Sequence, residues 1–194
     1  MIRFTLTVIA AAALAISTLP ARADVIGFDA ATSGFASYVE GNFTGTASGA
    51  FNGNGSNAGN PPPSIFPEGF AATLTITENT TGLFTFDSFD LVSAWTDAAR
   101  DLSYSFSGFL SSVQVINQSS IVSVEPLGAA TIINNSPATV LDNLQITISY
   151  VEEKGVNMDN INVTTAAVPL PASAILLMGG IVGLAAMRRT ALAE

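Results

Sequence analysis

Catalysis in this chain is limited first by what the chain lacks, because none of its 194 residues is a histidine or a cysteine. Ser-His-Asp and Cys-His nucleophiles are excluded, and so is every metal site built on imidazole or thiolate. Carboxylates remain. Glu78, Asp87, Asp90, Asp97 and Asp101 form the one local cluster, and two acids facing each other across a cleft are what a glycoside hydrolase needs. Asp87 and Asp90 stand three apart, which in an extended strand puts them on opposite faces unless a bulge intervenes. The sequence therefore argues against an enzyme. Binding is the better use of these residues: sugar recognition needs exposed aromatic rings beside polar side chains, for which Tyr38, Trp95 and Tyr104 are the candidates. Tyr104 shares a face with Leu102 and Phe106 and reads as core. Trp95, at a strand end beside Thr96 and Asp97, reads equally as core or as a loop site.

The charge balance narrows the partners. All acidic residues except Glu194 lie in the stretch 24–167, whose only bases are Arg100 and Lys154. Such a body repels phosphate backbones, so nucleic acid is not a partner. Solvated surface carboxylates account for most excesses of this kind, though they also attract divalent cations.

Both ends describe export. Met1-Ile2-Arg3 is a short basic start, residues 4–19 are apolar apart from small hydroxyl side chains, and Ala21-Arg22-Ala23 is an A-x-A cleavage site before Asp24. Residues 1–23 are thus expected to be a signal-peptide helix, handled by the secretion translocon and signal peptidase. At the other end Val168-Pro169-Leu170-Pro171-Ala172 is stiffened by two prolines. Residues 174–187 are all apolar or glycine, and Arg188-Arg189 follow as a basic stop, the order of a membrane segment. At about 1.5 Å per residue this helix spans roughly 21 Å, short of the ~30 Å hydrocarbon core. A temporary anchor fits it better than a permanent one.

Motif, apolar segment and basic end in this order resemble the PEP-CTERM sorting signals of Gram-negative bacteria, in the variant whose motif reads VPLPA. The resemblance covers 168–194. It implies an exosortase-type membrane enzyme that recognises the motif, removes the tail and leaves the body at the cell surface or in the extracellular matrix, commonly alongside exopolysaccharide production. An ordinary single-span anchor is the alternative.

What must position any site is the body, 24–167. Residues 45–64 are dominated by Gly, Asn, Ser and Ala and close on Pro61-Pro62-Pro63, which reads as a flexible loop. Beyond it the pattern is β. Leu74 and Ile76 alternate with Thr73, Thr75 and Thr77. The aromatics of 83–95 shift spacing between Phe86 and Phe89, which predicts a bulge. Leu102, Tyr104 and Phe106 alternate with three serines, 113–117 and 120–125 suggest a strand pair, and Leu144, Ile146, Ile148 and Tyr150 give the cleanest period of two. Eight or nine short strands without helical periodicity predict an all-β, antiparallel jelly-roll-like β-sandwich.

This pattern is similar to carbohydrate-binding modules, in which a closing strand like Asp159-Asn160-Ile161 runs back against its neighbour, here 144–150. The resemblance implies a structural Ca2+ between the chain start and that strand, at Asp29, Asp159 and Asn160. A plain turn or surface hydrogen bond at Asp159-Asn160 is the alternative. The expected function is a non-catalytic surface or matrix protein binding exopolysaccharide. A purely structural protein is the alternative, and a glycoside hydrolase comes third.

Overall fold

Leu74 and Ile76 are buried while Thr73, Thr75 and Thr77 stand half-exposed, because successive side chains of a strand point to opposite faces. The computed structural model describes residues 22–29, 31, 34–53, 63–69, 71–80, 82–150 and 156–166, which belong to one compact unit. Among the described residues every regular element is a strand: β1 (Arg22–Ile26), β2 (Phe35–Glu40), β3 (Phe43–Gly53), β4 (Ile65–Pro67), β5 (Ala71–Glu78), β6 (Phe84–Ser93), β7 (Arg100–Leu110), β8 (Val113–Val124), β9 (Ala129–Ile133), β10 (Asn143–Tyr150) and β11 (Val156–Thr165). None is a helix long and apolar enough to cross a membrane.

All strand pairings are antiparallel, in the order β8-β7-β10-β5-β3-β4-β11-β6-β9, with β2 joined to β3 and β1 to β11. The first and last strands of this path return to each other. Gln118 on β8 donates from Nε2 to the Ile133 carbonyl at 3.0 Å, and its Oε1 accepts from the Asn135 N–H at 3.2 Å. One side-chain amide thereby stands in for a ladder, and the sheet is nearly closed. Near-closure protects two edges that would otherwise offer unpaired backbone groups to another chain.

The interior is aromatic. Phe86 and Phe106 meet edge to face at 5.1 Å, Phe89 lies 6.2 Å from both, and Phe43 meets Phe84 edge to face at 5.6 Å. Leu74, Ile76, Leu144, Ile146, Ile161 and Val163 fill the space around the rings and are all buried. The predicted irregularity in β6 is present as register shifts in the β6–β11 ladder, where Asp159 pairs with Asp90 but Asn162 with Ser88 and Val163 with Phe86.

Three expectations are corrected. Residues 45–53 are not loop but the body of β3, since pairing with β2, β4 and β5 satisfies a backbone whose small side chains gave no pattern. Gly53 is needed there, since a Cβ would come within 2.4 Å of the Ala31 backbone, and a Cβ at Gly45 would press on the Leu74 side chain at 3.2 Å. Residues 113–124 are one long strand rather than two, because the polar stretch Asn117 to Ser120 stays in register with β7. Finally, β10 lies between β5 and β7 and does not pair with β11, which sits beside β6, β4 and β1.

Residues 54–62 of the expected loop lie outside the described residues, as do Ala21 of the expected cleavage site, the motif Val168, Pro169, Leu170, Pro171 and Ala172, the segment 174–187, and Arg188 and Arg189. Ala23 sits in β1 opposite Thr164. Cleavage after it would keep the pairing of 24–26 with 161–163 and remove Arg22 together with its 3.1 Å ion pair to Asp24.

The β7–β8 hairpin turns on Ser111 and Ser112, which take φ of 52° and 66°. Two central residues with positive φ define the turn that normally selects Asn-Gly, and each left-handed non-glycine residue costs about 1–2 kcal/mol. Replacing the pair by Asn-Gly is therefore expected to stabilise the protein by about 1 kcal/mol or more, read as a raised midpoint in urea unfolding with unchanged slope.

Candidate functional site

The sequence-predicted residues are placed as follows. Tyr38 is not an exposed sugar platform: it is buried, its ring lies 5.6 Å from Phe28 and 5.9 Å from Phe35, and its hydroxyl donates to Glu40 Oε2 at 2.8 Å. The same carboxylate accepts from the Phe28 N–H at 2.9 Å and the Gly27 N–H at 3.3 Å, so the group clasps the end of β1 to β2. Its place on an inward-facing position of β2 was hidden because that strand is too short and irregular to show its period. Trp95 is half-buried, and the Arg100 guanidinium lies over its ring at 4.7 Å from the centroid. One stacking face is thus already occupied by a cation.

The residues of the expected calcium set stand in different surroundings. Asp29 is exposed, whereas Asp159 is completely buried opposite Asp90 in the β6–β11 ladder. Asp90 accepts from the Thr131 hydroxyl at 2.7 Å and from Asn160 Nδ2 at 3.0 Å, and Asp159 Oδ1 accepts from the Asn160 N–H at 2.8 Å. Asn160 reaches both through a backbone at φ 47°. A hydroxyl and two nitrogen donors thus reach these two carboxylates, and among the described residues no group of three His, Cys, Asp or Glu side chains is placed to hold a metal ion. Two other acids of the local cluster are engaged too: Glu78 Oε2 accepts from the N–H groups of Thr80 and Gly82, and Asp97 accepts from the Ala98 N–H and pairs with Arg100 at 3.3 Å.

The feature that stands out is the outer face of five adjacent strands. Register carries one row across it as Ser119, Ser105, Thr147, Thr73 and Ser48, from β8 through β7, β10 and β5 to β3. A second row reads Asn117, Ser107, Gln145, Thr75 and Thr46, and a third Ile121, Ser103, Ser149 and Ala71. All are exposed or half-exposed. Strands about 4.8 Å apart with same-face residues about 6.8 Å apart make this a grid of hydroxyl and amide groups. Neighbouring hydroxyls of Thr73 and Thr147 lie 2.8 Å apart and share a hydrogen bond. In a chain of net charge −9, these rows hold no charged side chain.

At one end the grid runs into an open cleft of about 440 Å³ lined by Phe109, Ser112, Asp142, Asn143 and Gln145. Its ring reaches the outer surface because β7 points Tyr104 and Phe106 inward and Phe109, an odd number of residues on, outward. A register shift between Gly108 and Phe109 gives β8 an extra residue at this point, the kind of bulge that re-aims side chains. Asn143 pairs with Phe109 across the ladder. Asp142 Oδ2 accepts from the Ser111 N–H at 2.6 Å, which ties the β7–β8 turn to the start of β10.

Neither a scan against protein-family models nor a search of curated proteins returns a match to this chain. The serines and threonines of the grid were visible in sequence as the polar half of each alternation. Their assembly into one surface was not, because nothing local says that β7, β10 and β5 are neighbours. The cleft residues gave no signal at all.

Proposed function

We propose that this chain is an exported surface or matrix protein, sorted by an exosortase-type enzyme, whose body binds neutral exopolysaccharide without catalysing a reaction. The observation that carries the binding reading is the set of uncharged rows on β8, β7, β10, β5 and β3, in a chain of net charge −9. Hydroxyl and amide groups exchange hydrogen bonds with polyols in either direction, since each can donate and accept. Many weak contacts along a strand-wide surface suit an extended chain better than a compact small molecule. We read the nearly closed sheet as a jelly-roll-like sandwich, with the terminal signal-peptide and sorting helices added before processing. The sorting reading rests on the order of motif, apolar segment and basic end in 168–194.

Two measurements on protein isolated from the producing cells test this. Intact mass is expected to show that both 1–23 and the stretch ending in Arg188-Arg189 are gone; retention of the arginines with full partition into the inner membrane would remove the sorting reading. Sedimentation with the cells' own exopolysaccharide is expected to show saturable binding that competes with dextran. A purely structural matrix role is the second reading, favoured by Ile121 and Ile133, which are 68% and 65% exposed on the two strands flanking the Gln118 closure. It predicts concentration-dependent self-association and no polysaccharide binding.

A further inference from the structure

We infer that the cleft at Phe109, Asp142, Asn143 and Gln145 is a subsite that takes one neutral sugar ring of the polysaccharide. This rests on the binding reading above and gives it a location. The cleft volume of about 440 Å³ falls in the range of small-molecule sites, about 300–1,000 Å³. Its lining supplies the two things ring recognition requires, an aromatic face and converging polar groups. Phe109 is partly exposed, unlike the buried Tyr104 and Phe106 on the same strand, and it lines the open space.

The polar groups have capacity to spare. Asn143 Oδ1 is buried and has no hydrogen-bond partner among the described residues. An acceptor left so costs about 1–3 kcal/mol, a cost that a sugar hydroxyl donating to the Asn143 amide at the cleft wall would remove. Asp142 uses Oδ2 for the Ser111 N–H, and its carboxylate has further lone pairs to offer hydroxyls. Gln145, exposed, adds an acceptor and two donors and is also a member of the second row of the grid. A chain seated with one ring in the cleft therefore continues directly onto the hydroxyl surface. The Asp142 carboxylate and the acidic body select against uronic acids and other anionic rings.

Sulfate-free calorimetric titration of the protein isolated from producing cells would use cellobiose, maltose and glucuronic acid as probes, alongside sedimentation with exopolysaccharide. Cellobiose or maltose is expected to bind and glucuronic acid to bind at least tenfold more weakly. Gln145→Ala and Phe109→Leu are each expected to weaken the disaccharide at least fivefold while the unfolding midpoint of Gln145→Ala stays at the wild-type value. No disaccharide binding by wild type, or unchanged binding in both variants, overturns the subsite. Disaccharide binding that is unchanged in both variants, with polymer binding intact, overturns the subsite and leaves the proposed function standing. Disaccharide binding without polymer binding supports the subsite and removes the polymer reading.

Discussion

Phe106→Ala is expected to destabilise the protein by about 3–5 kcal/mol, the range for deleting a fully buried phenylalanine. Its ring is completely buried, lies edge to face against Phe86 at 5.1 Å and against Phe89 at 6.2 Å, and stacks beside Tyr104 at 6.4 Å. The loss has two parts: the transferred apolar area, and a cavity that strands on both sides cannot collapse to fill, because β7 is pinned to β8 and β10 along its length. Against a total stability of about 5–15 kcal/mol this is a large fraction. Urea unfolding should show a much lower midpoint at constant slope. Phe109→Ala, three residues on and only partly buried, should cost clearly less than Phe106→Ala. Equal losses at the two positions would mean that Phe109 is core and would remove the cleft.

Ser103→Lys combined with Ser105→Lys is expected to weaken exopolysaccharide binding at least tenfold, a change of about 1.4 kcal/mol. Both serines lie on β7 in the middle of the grid, between β8 and β10. Two long side chains there hold a rigid polymer off the surface and leave the hydroxyls of Thr147 and Thr73 out of reach. Stability should hold within about 0.5 kcal/mol per site, since both positions are outward and lysine adds no like charge to an acidic body. Wild-type affinity in a folded double variant would exclude the grid as the binding surface.

The absence of histidine and cysteine, the acidic body and the export-like ends are properties of the sequence itself, because they depend on composition and on order along the chain. So is the β character of 71–78, 100–110 and 143–150, where the period of two is a local consequence of the pleat. The bulge near Phe86 and Phe89 was also legible, since a shifted spacing cannot be accommodated in a regular ladder. Tertiary structure decided the rest. Residues 45–53 carry no periodic signal and become a strand only through the neighbours that pair with them. Tyr38 looks like an exposed ring until Glu40 and Phe28 enclose it. Asp90, distant in sequence, is brought opposite Asp159 by the β6–β11 register and into hydrogen-bond reach of Asn160, a neighbour that nothing local points to. The hydroxyl grid is the clearest case: each strand contributes an ordinary polar half, and only the order β8-β7-β10-β5-β3 lines those halves up. Strand order is set by non-local pairing and core packing, which local pattern does not encode.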